Sequence, residues 1–169
     1  MTTTVSGPTG GPAGLVVRAV GVGDDLARPL FDDLAREYGT RYGGTPEQVR
    51  EELLRYPAEE FTAPGGILLL LLERGAAVAG GAYRRYDGTT AELKRIWTHP
   101  AHRRRGLARQ VLAELERRAV GAGYARLFLT TGPRQPEARH LYLRTGFRPL
   151  FDVSADPETI GPLAFEKDL

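Results

Sequence analysis

Three consecutive arginines lead into a glycine in the stretch HPAHRRRGLARQVL, residues 99–112, where an apolar helical pattern begins. The first turn of a helix has backbone N–H groups without intrahelical partners and partial positive charge, so it binds anions. Gly106 and Ala108 are small enough to let an anion reach that backbone. Forked donors suited to phosphate oxygens surround the turn, on Arg103, Arg104, Arg105 and Arg109. The segment predicts a phosphate-binding turn.

This turn lacks the residues of two common nucleotide-binding loops. There is no G-x-x-x-x-G-K-[ST] motif, hence no lysine or magnesium-binding hydroxyl of that type, and no G-x-G-x-x-G. The pattern is instead Arg103-x-x-Gly106-x-Ala108, preceded by Pro100 and followed by an amphipathic helix. On its own, such an arginine run is more often a solvated surface turn, so a function needs a second motif.

The charge distribution supports an anionic partner for the second half of the chain. The formal net charge is only +2, yet residues 93–150 carry 13 basic and 3 acidic side chains. Residues 1–92 carry 9 basic and 13 acidic side chains, a net charge of −4.

Composition excludes several other classes of site. The chain has no cysteine, which excludes disulfides and thiolate zinc sites, and its three scattered histidines do not suggest a metal centre. The first residues have no basic region followed by an apolar one, so no signal peptide is expected. The longest apolar run, residues 67–72, is too short to span a bilayer. We therefore expect a cytoplasmic protein with no membrane partner and no metal.

The chain length of 169 residues is that of one domain. Residues 1–13, rich in Gly, Pro and Thr, are predicted to be a disordered tail, and 14–169 a single domain. Strands are predicted over 15–20, 67–73, 77–86, 90–98, 125–131, 147–151 and 162–169. Helices are predicted after Asp24 or Asp25, after Thr45, over 106–120 and from Pro136, whereas the stretch EYGTRYGGTP, 37–46, is predicted to be a glycine-rich loop. The result is an α/β sandwich around a mixed sheet.

The strand over 90–98 changes its alternation. Its apolar residues Ala91 and Leu93 are at odd positions, but Ile96 is at an even one, which a one-residue bulge would produce. A right-handed crossover through the following helix would place 125–131 parallel to this strand.

Two segments carry a family resemblance. The stretch ELKRIWTHPAHRRRGLARQVL, 92–112, resembles the acetyl-CoA signature of the GNAT acetyltransferase superfamily, whose core is [QR]-x-x-G-x-[GA]. The stretch EARHLYLRTGF, 137–147, resembles that family's A-x-x-L-Y-x-x-x-G-F element. The resemblance covers about residues 67–150, and the flanks only by element order. It implies a mixed, largely antiparallel sheet of about seven strands, helices on both faces, and strands 4 and 5 parallel but splayed.

The resemblance also implies acetyl-CoA as co-substrate. Its diphosphate would bind the backbone N–H groups of Arg103, Arg104, Arg105, Gly106, Leu107 and Ala108, with Arg109 nearby. Its pantetheine arm would pair like an extra strand with the backbone of Ile96, Trp97 and Thr98, which requires strands 4 and 5 to separate. Gln135 stands where the family often has an asparagine that reaches the cofactor.

Acetyl transfer to an amine needs a base to remove a proton and an acid to protonate the departing thiolate. Tyr142 matches the family's usual general acid, and Glu92 is the candidate base. Each also has a structural interpretation, Tyr142 as a core-edge aromatic and Glu92 as a strand carboxylate paired with Lys94 or Arg85.

The favoured function is acetyl transfer from acetyl-CoA to a primary amine of a small molecule or peptide. The acceptor would bind near the loop over 38–45, where lid residues are expected to be Tyr38, Tyr42, Asp32 and Glu37. The negative first half is compatible with a cationic acceptor. The alternatives are a domain that senses acyl-CoA without turnover and an arginine-rich nucleic-acid-binding module. The nucleic-acid-binding alternative conflicts with the low net charge and with the lack of aromatic residues between the basic ones, so no nucleic-acid partner is expected. The sequence leaves open whether the protein forms a homodimer.

Overall fold

The computed structural model describes residues 14–169, so the predicted disordered tail, 1–13, lies outside the described residues. Seven strands form one mixed sheet: β1 (Leu15–Ala19), β2 (Ile67–Glu73), β3 (Ala76–Arg85), β4 (Thr90–Thr98), β5 (Arg126–Thr131), β6 (Arg148–Pro149) and β7 (Leu163–Asp168). The strand order is β1-β2-β3-β4-β5-β7-β6, and every neighbouring pair is antiparallel except β4 and β5. The predicted fold class is confirmed.

Helices cover both faces of this sheet. They are α1 (Arg28–Tyr42), α2 (Pro46–Leu53), α3 (Leu107–Gly121), α4 (Pro136–Arg144) and α5 (Pro157–Ile160). Successive side chains of a strand point to opposite faces of the sheet. The leucine run of β2 therefore contributes side chains to the hydrophobic cores on both faces. Leu68 and Leu70 pack with α1, whereas Leu69 and Leu71 pack with α3. Within residues 14–169, no helix is long and apolar enough to cross a bilayer.

Helix α3 lies directly on β3 because Gly81 has no side chain. A Cβ atom there would lie 2.6 Å from Ile96 Cδ1 and 2.9 Å from Val111 Cγ1. The position therefore sets how closely the α3 helix, whose first turn was predicted to bind phosphate, approaches the sheet.

The prediction of a loop over 37–46 is wrong for its first part, because α1 continues through Gly39 to Tyr42. A glycine inside a helix costs about 1 kcal/mol, and distant contacts described below hold this helix end. The helix begins at Arg28, with Pro29 in the first turn, where its missing N–H costs nothing. Asp24 instead caps a preceding single turn, Asp25–Ala27.

Two predictions near the C-terminus need correction. The strand predicted over 147–151 contains only Arg148–Pro149, at the sheet edge, where a proline is tolerated. The short helix α5, capped by the Asp156 side chain, was not predicted.

The predicted bulge is present in β4. Gly80 lies opposite Trp97 and Ala82 opposite Lys94, so Gly81 alone faces both Arg95 and Ile96. Arg95 has a φ of +62°, in the left-handed region that few side chains adopt.

From Leu93 onward β4 and β5 separate. Their pairing spans only Thr90–Glu92 on β4 and Arg126–Phe128 on β5. The rest of β4 therefore has no ladder partner on its β5 side, which confirms the expected splay.

Candidate active site

The N-terminal turn of α3 has the geometry of an anion site. Gly106 stands at the cap with φ 73° and ψ 17°, and no side chain caps this helix within the described chain. By contrast, Thr45 caps α2. Arg104 also has a positive φ, 64°. Backbone reversals of this kind direct successive N–H groups into a concavity that binds anions.

The arginines around this turn differ in their contacts. Arg103 and Arg104 line the adjoining cleft, and Arg109 is exposed. Arg105 instead pairs with Glu73 at the C-terminal end of β2, at 2.5 Å between Nη2 and Oε2. This hydrogen bond lowers the pKa of the Glu73 carboxyl. The Arg105 side chain is thus engaged elsewhere, so its expected contact with a diphosphate would come from its backbone.

A cleft of about 500 Å³ runs from this turn along the separated part of β4. It brings together most of the residues predicted to bind the cofactor: Ile96, Trp97, Thr98, Arg103, Arg104, Ala108 and Gln135. The edge of β4 along this cleft is free to pair with an extended ligand, as peptide strands pair with open sheet edges. The Trp97 side chain itself is buried under α1, where its indole N–H donates to Asp33 Oδ2 at 3.1 Å.

A second cavity, of about 570 Å³, lies between β4, α2 and the end of α1. The two cavities share four lining residues: Ile96, Gln135, Ala138 and Tyr142. Aromatic and apolar side chains form most of the second cavity's wall, among them Tyr38, Tyr42, Val49, Leu53 and Tyr56.

Tyr142 stands where the two cavities meet. Only 6% of the residue is exposed, and its ring packs at 5.5 Å from Phe147 and 5.6 Å from Phe165. Burial raises the pKa of its phenol far above the usual 10, with a smaller contribution from Tyr38. The hydroxyl therefore stays protonated at neutral pH and can serve as a proton donor.

Glu92 lies behind the second cavity and outside the walls that residues 14–169 form around it. It is 8% exposed. Its Oε1 accepts from Arg84 Nη1 at 2.9 Å and lies 3.7 Å from Lys94 Nζ. Its pairing with Lys94 agrees with the structural interpretation, with Arg84 as the second partner and not Arg85. Its role as a base stays a prediction.

The end of α1 contacts the loop between β5 and α4 and the first turn of α4. Arg41 pairs with Glu137 at 3.1 Å. The Tyr42 hydroxyl accepts from the Arg134 N–H at 3.0 Å. This hydroxyl lies so close to the loop that a Cβ on Gly132 would be 1.9 Å from it. These contacts explain why α1 extends over the predicted loop.

The four expected lid residues divide between different places. Tyr38 and Tyr42 line the second cavity and Glu37 lines the cleft. Asp32 lies elsewhere, paired with Arg50 between α1 and α2.

Sequence reasoning missed Arg95 and Tyr56 in the second cavity. The predicted bulge could have identified Arg95, because a bulge places two consecutive side chains on one face of the sheet. Lys94 lies over the Tyr56 ring at 4.7 Å, and Arg95 Nη2 donates to the Leu53 carbonyl at 2.7 Å, so both point to the α1–α2 side.

Comparisons with known proteins agree with this geometry. Residues 28–147, more than half of the chain, match the acetyltransferase (GNAT) family model. The uncharacterized N-acetyltransferase YsnE of Bacillus subtilis (strain 168) is 37% identical over 92 residues, which cover 51% of this chain and 61% of that protein. The match thus spans less than two thirds of that relative's length.

Solved structures share the whole architecture. The PaiA N-acetyltransferase of Thermoplasma acidophilum, in complex with coenzyme A, superposes with a TM-score of 0.69 at 16% identity, covering 92% of this chain and 99% of its own. A GNAT family acetyltransferase of Elizabethkingia anophelis with acetyl-CoA bound gives 0.65 at 17% identity, covering 93% and 99%. At these identities the likeness concerns the fold. The family match, the splayed β4–β5 pair and the uncapped turn of α3 agree, and the chain belongs to the GNAT family of acetyltransferases.

Proposed function

We propose that this protein transfers the acetyl group of acetyl-CoA directly to a primary amine of a small molecule or peptide. The observation that carries the proposal is the position of Tyr142, a buried tyrosine with a protonated phenol at the junction of a cleft and a cavity. The cleft leads to an anion-binding turn, and the cavity is open to a second reactant.

The residues of the cleft fit acetyl-CoA. The uncapped N–H groups at the start of α3 would hold the diphosphate, supported by the charges of Arg103 and Arg104. The unpaired edge of β4 at Ile96, Trp97 and Thr98 would hold the pantetheine arm, with Gln135 on the opposite wall. Bound there, acetyl-CoA supplies an activated acetyl thioester. The supporting observation in relatives is that two proteins of this fold bind coenzyme A or acetyl-CoA.

Tyr142 and Glu92 would handle the protons. The Tyr142 hydroxyl would donate its proton to the departing sulfur. Glu92 would accept the proton that the amine loses, and a water would have to carry that proton because Glu92 lies outside the cavity wall.

An assay of thiol release from acetyl-CoA across a panel of amines tests the activity. We expect release with at least one primary amine. Binding of acetyl-CoA without release on any amine would contradict catalysis and indicate a sensing domain. Salt-sensitive binding of nucleic acid without acetyl-CoA binding would indicate the arginine-rich alternative.

The cofactor site has its own test, with a matched control. Gly106→Val places a β-branched residue at φ 73°, which such residues avoid, and should weaken acetyl-CoA binding at least tenfold by calorimetry. Gly123→Val imposes the same strain at φ 93°, just after the C-terminal end of α3 and away from the cleft. It should leave the affinity unchanged. Equal affinities for both variants would contradict the proposed site.

A further inference from the structure

Arg95 brings an uncompensated positive charge to the second cavity. Its Nη2 donates to the Leu53 carbonyl at 2.7 Å, while its Nε is buried without a hydrogen-bond partner in the described chain. It forms no ion pair with a carboxylate of residues 14–169, and residues 1–13 contain no aspartate or glutamate. Arg95 is half-buried, and a partly desolvated guanidinium with an unused donor is costly to keep unless it binds an anion.

The bulge of β4 is the reason that this charge faces the cavity. In a regular strand, Arg95 would point to the α3 side, opposite to Lys94. The left-handed backbone at Arg95 places both on the α1–α2 side, and returns Ile96 to the α3 side beside Gly81. The bulge, which lies in the part of β4 that no longer pairs with β5, therefore places a second cation in the cavity.

The other charges that line the cavity have partners. Arg55 pairs with Glu52 at 3.0 Å, and Lys94 lies 3.7 Å from Glu92. Glu52 is the one carboxylate among the described lining residues. Desolvation by burial lowers the pKa of Arg95 from its usual range, as expected for a charge that lacks a counter-ion. The cavity is thus cationic, although residues 1–92, which form much of it, carry a net charge of −4.

We propose that Arg95 binds a carboxylate of the acceptor, so that the acceptor is an amino acid with an apolar or aromatic side chain. This inference rests on the proposed function and names its substrate class. A carboxylate suits the forked donors of arginine, and the tyrosines and aliphatic residues of the wall suit an apolar side chain. The carboxylate takes no part in the chemistry: the amine gains the acetyl group and loses a proton, and CoA leaves as the free thiol.

The test compares two product-like probes that need no turnover, N-acetylphenylalanine and its uncharged amide, bound in the presence of CoA and measured by calorimetry. For the unmodified protein, the acid should bind roughly tenfold to a hundredfold more tightly than the amide. Arg95→Gln should remove that difference, and Arg95→Lys should keep part of it. Arg55→Gln, which removes a paired cation of the same cavity, should leave the difference intact.

Separate control measurements test the folding of the variant and the proposed function. Unchanged acetyl-CoA affinity and thermal unfolding would show that Arg95→Gln is folded. Equal binding of acid and amide by the unmodified protein, or an undiminished preference in folded Arg95→Gln, would overturn the inference. A lack of thiol release with any amine would refute the proposed function, and the binding comparison would still decide the role of Arg95.

Discussion

Replacing Tyr142 by phenylalanine removes one oxygen atom from the junction of the two cavities. The ring should stay in place, because it packs against Phe147 and Phe165 through its edges and faces. Burial, with a smaller contribution from Tyr38, accounts for the raised pKa of Tyr142, and no hydrogen bond contributes. Removing the hydroxyl should therefore change the free energy of unfolding by no more than about 1 kcal/mol.

The effect on catalysis should be much larger. A positioned general acid contributes about 100-fold to 10,000-fold to a rate. This loss corresponds to roughly 3–5 kcal/mol of transition-state stabilisation. It should appear in kcat, while the affinity for acetyl-CoA stays within about twofold, since binding depends on the start of α3 and on β4.

The assay measures thiol release from acetyl-CoA with the best amine of the panel, between pH 6 and about pH 10, the ordinary pKa of a tyrosine. Tyr83→Phe is the matched control. Tyr83 is also buried, at 3% exposed, but lies on β3 outside both cavity walls of the described chain. It should keep full activity.

The pH dependence of the activity gives a second test of the role of Tyr142. Because burial raises the pKa of Tyr142, the phenol stays protonated through pH 10, and the unmodified enzyme should not lose its acid below that pH. Full activity of Tyr142→Phe would refute the reasoning. So would an alkaline loss of activity with a midpoint near pH 8 that disappears in that variant.

Three further variants test other parts of the structure. Gly81→Val should lower the thermal midpoint by several degrees, because its side chain would enter the α3–β3 contact and overpacking costs about 1–3 kcal/mol; an unchanged midpoint would contradict that packing. Gly132→Ala should raise KM for the amine more than for acetyl-CoA, because its Cβ would displace the Tyr42 hydroxyl from the cavity wall, and equal changes would argue against this. Glu92→Gln should lower kcat about 100-fold, because the carboxylate is the proposed base. Retained activity would show that Glu92 has only a structural role, through its ion pairs with Arg84 and Lys94.

The sequence predicted the parts of the molecule that follow from local patterns. The shift from Leu93 to Ile96 in the apolar alternation predicted the bulge, and the apolar pattern after Gly106 predicted the start of α3. Both depend on a few neighbouring residues, whose backbone geometry is set by side-chain type and spacing. The order of the main elements and most strand pairings followed from these patterns together with turn residues, whereas the splay of β4 and β5 was implied by the family resemblance and α5 was not predicted.

Features set by distant contacts were not predictable in this way. The last turn of α1 forms because Arg41 and Tyr42 contact residues more than 90 positions away in the chain, and such contacts override the low helix propensity of glycine. The positive charge of the second cavity was also not predictable from the sequence. Many acidic side chains of the first half are paired with arginines, as Asp32 is with Arg50, so a net charge counted along the chain does not describe the cavity wall.

The most direct test of the central claim is a titration of the backbone amides by nuclear magnetic resonance, with CoA and then with pantetheine, which lacks the diphosphate. CoA should shift the amide signals of residues 104–109 most strongly, along with those of Ile96, Trp97 and Thr98. Pantetheine should shift only the second group. If CoA leaves the amides around Gly106 unmoved, or if pantetheine moves them equally, the start of α3 does not bind the diphosphate and the account is contradicted.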